Sequence, residues 1–324
     1  MIRITPFSTH AAPETIDGLG ADLWSSPAGN AWLEGTFGCR AAWLQIEEGA
    51  RSAAVLLHVR RLLPGVHLAS TLPYTAAAGD MELVWSNADA IRLALRAHGI
   101  CRLELGVAAP MPPAAGFESL PDESRQVIEL AGVADGAAYE AGLSHNLRWS
   151  LRKARRASPG LLPPSASDAV LAQDLYARTM RAKGAPVNYG VERFQLVHER
   201  LAPENRGRLY IATLGGKPAA MAAVLDSARC RHLVQLAVPP EHQDSRLSDW
   251  LTWQVISDAI AAGKPTFDFM GTPGHDEGLA AYKAKWGGRR ELIAHPCIVA
   301  LQARSALVDL GRRANKWLAA RRGA

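Results

Sequence analysis

The 324-residue chain has only four cysteines, Cys39, Cys101, Cys230 and Cys297, and none stands in C-x-x-C spacing. Such scattered thiols argue against a disulfide scaffold and against a zinc site, so no metal is expected. Apolar runs are short. None approaches the roughly 20 residues needed to cross a bilayer, and the opening MIRITPFSTH is too polar for a secretory h-region. No charged heptad run is sustained, which excludes a long coiled coil. These absences predict a cytoplasmic protein without a transmembrane segment.

What is present suits two globular domains. The length is generous for one compact domain, and 48% hydrophobic residues suffice for a core in each half. The net charge is a mild +5, but it is unevenly spread. Arg148, Arg152, Lys153, Arg155 and Arg156 crowd one stretch, and Arg312, Arg313, Lys316, Arg321 and Arg322 crowd the tail. Such clusters favour anionic partners such as phosphates, tRNA or acidic lipid; the plainer alternative is a pair of solvated helix faces.

The two halves repeat one plan. AWLQIEEGARSAAVLLHV (42–59) and LYIATLGGKPAAMAAVLD (209–226) each read as a hairpin, turning at Glu-Gly and at Gly215-Gly216. A further strand follows each, HLAST from His67 and HLVQLAV from His232. Helices are expected over 87–97, with Ser86-x-x-Asp89 as a capping-box start, and over 247–261, with Leu247, Leu251, Val255, Ile256, Ala259 and Ile260 on one face. Gly99 and Gly263 predict left-handed ends to these helices. ICRLELG (100–106) and PTFDFMG (265–271) then supply a strand each, matching Glu104 to Asp268.

The stretch VAAPMPPAAGFESLPDES (107–124) marks the boundary between domains, placing the first at 1–124 and the second at 125–300. VIEL (127–130) predicts a strand. LSHNLRWSLRKARRA (143–157) predicts a basic helix that buries Leu143, Leu147, Leu151 and Ala154 and is capped by Ser144. After Gly271 come a loop, GTPGHDEG, a short helix, GLAAYKAKW, and a last strand in RRELIAHPCIVAL. Residues 301–324 form a basic amphipathic tail helix. Its stripe of Ala303, Leu307, Leu310, Ala314 and Trp317 is expected to pack on the domain, while its basic face leaves peripheral membrane contact open.

Four segments, HNLRWSLRKARRA (145–157), LYARTMRAKG (175–184), LYIATLGGKPAAMAAVL (209–225) and FDFMGTPGHDEGLAAYKAKWGG (267–288), resemble the FemAB-like branch of the GNAT superfamily. The last is the most specific: an Asp-bearing strand, a glycine loop, then an aromatic-Lys pair ahead of an aromatic-Gly. The resemblance covers about 125–300 well and the first half only through the order of elements. It implies an α/β (α+β) chain of two tandem GNAT-like domains, each a mixed, mostly antiparallel sheet flanked by helices. It also implies transfer of an acyl group to an amine. Some members use aminoacyl-tRNA to build peptidoglycan cross-bridges; others use acyl-CoA or belong to polysaccharide clusters.

On that resemblance, the donor carbonyl is expected beside a splayed strand at 232–238, and the CoA pyrophosphate at the N-terminus of the next helix, where free N–H groups favour anions. The family's Q/R-x-x-G-x-G/A loop corresponds here to Gln243-Asp244-Ser245-Arg246-Leu247-Ser248, with Arg246 and Ser248 in place of small residues. Lys283, with Tyr282 as its aromatic neighbour, matches the family's functional lysine, placed to offset charge on a donor phosphate or an oxyanion. Asp268, a carboxylate within an apolar strand, is a candidate general base or amine-orienting group, or else a strand-end residue bonded to the next loop. His275, Asp276 and Glu277 are alternative bases. Asn188 and Tyr189 are candidate acceptor contacts, Tyr74 a candidate acceptor residue of the first half, and Arg148 and Arg152, one helical turn apart, a candidate pair for one anionic group.

Three readings follow. The first is an acyl-CoA-dependent N-acyltransferase acting on a small molecule, glycan or cell-envelope precursor. The second is an aminoacyl-tRNA-dependent transferase of the peptidoglycan-bridge type. The third is a non-catalytic binding module in polysaccharide biosynthesis, suggested by the departures in the donor loop.

Overall fold

The computed structural model describes residues 1–7, 23–71, 76–108, 115–274 and 276–322. Tyr74 and His275 lie outside these described residues. The chain divides into two compact units, Met1–Ser124 with Glu291–Leu318, and Arg125–Arg290 with Ala319–Ala324. Both are mixed α/β.

The first unit begins with strand β1 (Ile2–Pro6) and helix α1 (Pro27–Phe37), followed by the hairpin of β2 (Cys39–Glu48) and β3 (Arg51–Leu63). It continues through β4 (Val66–Ser70), β5 (Ala77–Gly79), α2 (Glu82–Ser86), α3 (Ala88–Ala97), β6 (Ile100–Glu104) and β7 (Val107–Ala108). β8 (Glu118–Glu129) leads into the second unit. That unit holds α4 (Gly136–Ala141), α5 (His145–Arg156), β9 (Gly160–Leu161), α6 (Asp168–Ala182) and α7 (Val191–Leu196). It goes on with β10 (Gly207–Leu214), β11 (Lys217–Asp226), β12 (Cys230–Ala237), α8 (Leu247–Ala261), β13 (Thr266–Pro273) and α9 (Glu277–Ala284). β14 (Arg289–Val299) and α10 (Gln302–Arg322) close the chain.

In the first unit the strand order is β1-β2-β3-β4-β6-β14, antiparallel except for the parallel pair β4–β6. Leu44, Val55, Leu57, Ala69 and Leu103 of the sheet pack against Leu83, Ile91 and Leu95 of α2 and α3. In the second unit the order is β8-β13-β12-β11-β10-β9, with β12–β13 as its parallel pair. Its core joins Ala220, Ala222 and Val224 of β11 to Leu147 and Leu151 of α5 and to Leu251, Val255 and Ile256 of α8. The repeated order of hairpin, strand, helix and parallel strand is therefore present in both units.

Local signals explain the frame. Gly215 and Gly216 join β10 to β11 with φ of 55° and 76°, the paired left-handed geometry that a two-residue hairpin loop needs and glycine supplies without a Cβ clash. Ser144 caps α5, its side chain accepting from the Leu147 amide at 3.4 Å. Gly99 and Gly263 follow α3 and α8 in the left-handed region, as expected.

Other expectations need correction. The Ser86–Asp89 capping box does not form: α3 starts after Asn87 with no side-chain cap, and Ser86 instead ends α2, its hydroxyl donating to the Glu82 carbonyl. The expected loop GTPGHDEG is shorter, because β13 runs on to Pro273. The end of the chain also departs from a boundary at 300. Cys297, Ile298 and Val299 of β14 pair with Glu104, Leu103 and Arg102, which brings this strand into the first unit. α10 follows it there as far as Leu318. The described part of the predicted α10 stripe does not pack on the domain: Ala303, Leu307, Leu310 and Ala314 are all exposed, and the buried side chains among the described residues are Ser305 and Val308. Ionic contacts dictate that orientation, since Arg102 reaches Ser305 at 2.8 Å and Asp309 through two bonds of 2.9 and 2.6 Å. The side chain of Trp317 lies outside the described residues.

Candidate active site

The two parallel strand pairs differ. In the first unit β4 and β6 stay paired to the end of β4, through Ala69↔Leu103 and Ser70↔Glu104. The Thr71 amide then donates to the Glu104 carbonyl at 3.1 Å, and the Gly106 amide to the Thr71 hydroxyl at 2.8 Å. In the second unit β12 and β13 pair only at Cys230↔Thr266, Arg231↔Phe267 and His232↔Asp268. Beyond His232 they separate, and Val234, Gln235 and Leu236 become partly exposed.

Two backbone irregularities accompany the parting. On β12, Ala223 pairs with Gln235 and Val224 with Leu233, so Val234 is a bulge residue skipped by the ladder with β11. A bulge bends its strand, increases local twist and leaves the extra residue unpaired. On β13, Met270 has φ of 63°, a left-handed conformation rare for a side chain of its size.

Asp268 and Lys283 hold that second irregularity. Asp268, 1% exposed, accepts from the Met270 amide at 2.7 Å and from Arg125 at 3.3 Å, and lies 3.7 Å from His232 Nδ1. Burial disfavours its charge, but His232, Arg125 and the Met270 amide together outweigh that and keep its pKa below the ordinary carboxylate value. Burial likewise opposes the charged form of His232, yet Asp268 and Cys230 prevail and push its pKa up to about 9. Lys283, on α9 and 6% exposed, donates from Nζ to the carbonyls of Met270 and Gly271, each at 2.9 Å. The lysine thus points into the protein, at the end of the parted strand.

Tyr282 faces another way. Its hydroxyl donates to the Ser248 carbonyl at 3.1 Å and bonds the Thr252 hydroxyl at 2.9 Å, which ties α9 to the first two turns of α8. Burial, followed by the charge of Asp249, raises its pKa well above the usual phenol range. Lys285 sits 4.2 Å from the centre of the same ring and reaches Asp249 at 2.5 Å; Asp249 also accepts from Ser150 at 2.6 Å. Gln243, Arg246 and Ser248 come together at this helix start. Arg246 has φ of 58° and donates its amide to the Gln243 carbonyl at 3.2 Å, so it adopts a left-handed conformation that glycine takes far more readily. Its exposed guanidinium adds a charge at the N-terminus of α8, the positive end of the helix dipole.

The remaining candidates are spread around this core. Tyr189 lies against Arg193, whose guanidinium is 3.8 Å from the ring centre, and Arg193 donates to the Val234 carbonyl at 3.4 Å, so the pair lines the β12 side of the opening. Asn188 is exposed on the same loop. Arg148 donates to the Ala141 carbonyl at 3.1 Å, and Arg152, one turn further along α5, is exposed. Asp276 caps α9, accepting from the Leu279 amide at 2.9 Å, and Glu277 is exposed. Sequence reasoning missed Arg125, Arg193 and His232. The available signal was a charged or titratable residue inside or beside an apolar segment, as at Asp268, since such a group needs a partner.

The sequence model of the acetyltransferase (GNAT) domain family matches residues 143–284. No curated protein matches by sequence. Among solved structures the chain is similar to FemX, with a TM-score of 0.70 at 12% identity over 92% of this chain and 98% of that one. It is also similar to a tandem GNAT protein from the clavulanic acid biosynthesis pathway (TM-score 0.57, 15% identity, 93% and 99% covered). L-PGS from Bacillus licheniformis gives a TM-score of 0.56 at 9% identity, with 94% and 97% covered. At these identities the likeness is one of fold. Residues 143–284 thus match the GNAT acetyltransferase domain family, and the chain as a whole has the fold of the tandem GNAT proteins and of FemX.

Proposed function

We propose that the second unit is an N-acyltransferase that moves an acyl group from an acyl-CoA thioester to an amine of a small-molecule, glycan or cell-envelope precursor. The observation that carries the proposal is the parting of β12 and β13 beyond His232 and Asp268. An acyl thioester entering there lies along a strand whose bulge at Val234 leaves backbone polar groups without ladder partners. The diphosphate meets the start of α8, where first-turn amides and Arg246 supply positive charge.

In this scheme the amine nitrogen attacks the thioester carbonyl carbon, negative charge gathers on the carbonyl oxygen, and backbone amides of the parted strand stabilise it. The C–S bond then breaks and the thiolate leaves with the proton released by the amine. Asp268 serves as an orienting group: its lowered pKa makes it a weak base, and its bonds fix the conformation of Met270. Lys283 fixes the other side of the same turn through the Met270 and Gly271 carbonyls. Asn188 and Tyr189 border the acceptor side.

Titration calorimetry with CoA and acetyl-CoA tests the donor directly. Saturable heat that grows when the acyl group is present is expected, and its complete absence would rule out acyl-CoA as the donor.

One observation favours aminoacyl-tRNA instead. Trp149, 48% exposed, shares the outer face of α5 with Arg152, Lys153 and Arg156, and Lys153 lies 5.8 Å from the ring centre of Trp149. An exposed ring among cations offers stacking and phosphate contacts together. Binding of tRNA that weakens steeply with added salt would favour this donor; salt-insensitive binding would count against it.

A further inference from the structure

Helix α10 is mounted with its polar side inward. Arg102, 4% exposed, bonds Ser305 and Asp309, and Arg312 bonds Glu104 through two contacts of 2.8 Å. Among the described side chains of this segment, Val308, with Leu301 just ahead of the helix, adds apolar contact against Val66, Cys101 and Leu62. The outward side carries Ala303, Ala306, Leu307, Leu310 and Ala314, with Leu307 45% and Leu310 63% exposed. At 100° per residue these five fall within one continuous arc, with Arg304 at one edge and Arg313 at the other. An amphipathic helix ordinarily turns its apolar stripe to the core. Here the stripe faces water and the ionic contacts hold it there.

We infer that this face of α10 seats the protein on an anionic phospholipid surface. The apolar arc enters the boundary between headgroups and acyl chains, while Arg304 and Arg313 extend along its edges to the phosphates. Charge selects this occupant. Residues 302–324 contain six basic residues and a single acid, Asp309, so this segment alone carries the +5 of the whole chain and the rest is balanced. A second copy of the chain docked on the same arc would bring the same arginines together, whereas an anionic bilayer neutralises them. No described helix is long and apolar enough to cross a membrane, so the contact is one of lying on the surface. This inference is independent of the acyl-transfer proposal, because none of its residues belongs to the β12–β13 opening.

Co-sedimentation of the full chain with vesicles tests it. Vesicles of phosphatidylcholine with phosphatidylglycerol should pellet the protein, and vesicles of phosphatidylcholine alone should not. The double variant L307Q/L310Q should lower partitioning about 100-fold through lost apolar burial. The double variant R304Q/R313Q should lower it roughly 20- to 30-fold and reduce its salt sensitivity. Both variants should keep the wild-type Tm, because these side chains are exposed in the free protein. Equal pelleting of wild type and variants, equal binding to neutral vesicles, or no binding would overturn the inference. So would a lowered Tm, or a dimer on gel filtration that L307Q/L310Q dissolves, which would assign the face to a second copy.

Discussion

Lys283 Nζ lies 2.9 Å from the carbonyl oxygen of Met270, a residue held at φ 63°. A left-handed conformation costs a side-chain-bearing residue about 1–2 kcal/mol, so β13 turns away from β12 only because its neighbours hold it. Lys283 takes the Met270 and Gly271 carbonyls, and Asp268 takes the Met270 amide. The two residues most suggestive of chemistry in the sequence therefore also shape the strand on which that chemistry depends.

Replacing Lys283 tests both roles. Lys283→Met keeps most of the side-chain volume and removes the donor. The loss of buried, charge-assisted bonds should cost about 2–3 kcal/mol in urea unfolding, and acyl transfer should fall at least tenfold in kcat. A folded K283M with wild-type kcat would leave the lysine purely structural; transfer by the wild type that is lost in this variant would reject the reading of the chain as a non-catalytic binding module.

The His232–Asp268 pair predicts a pH dependence of stability. His232 has its folded pKa raised to about 9 from 6.5. Its contribution is fully present below about pH 6.5 and disappears as pH rises through 9. Asp268, with a lowered pKa, contributes above the ordinary carboxylate range, and that part is lost in acid. Urea midpoints should therefore fall between pH 6.5 and 9, by on the order of 3 kcal/mol in stability. H232Q should flatten that slope, and an unchanged slope would contradict the pairing.

Arg246 occupies a glycine conformation and carries an exposed guanidinium. Arg246→Gln leaves the Cβ in place and removes the charge. CoA affinity should drop about tenfold, as expected for a lost charge-assisted phosphate contact, with stability altered by under about 0.5 kcal/mol. An unchanged dissociation constant by calorimetry would remove Arg246 from the donor site.

Arg193 holds the opposite strand, bonding Val234 and lying against Tyr189. Arg193→Lys cannot reproduce the planar fork. The variant should raise the KM for the amine acceptor more than the KM for the donor, since Tyr189 borders the acceptor side in the proposed scheme. Equal effects on both, measured by initial rates, would place Arg193 outside that role.

Much of the frame was legible in the residues, and the reason is local. Two glycines at 215–216 suit a tight hairpin because only they adopt paired positive φ freely, Ser144 caps α5 through a bond three residues away, and alternation or helical spacing marks which residues turn inward. The repeated order of hairpin, strand, helix and strand follows from such local signals, as does the family pattern around Tyr282 and Lys283.

Other features depended on partners far along the chain. HLAST and HLVQLAV look alike as strings, yet β4 stays paired with β6 to its last residue, Ser70 opposite Glu104, whereas β12 leaves β13 after His232 opposite Asp268, well before its own end. Neither register nor parting has a local signature, because each depends on the strand alongside. The facing of α10 was equally hidden. Its periodicity defines an apolar stripe, but Arg102, some 200 residues earlier, decides that the stripe looks outward. Composition and periodicity specify what each segment is able to bury; the long-range ion pairs and strand pairings of the folded chain determine what it does bury.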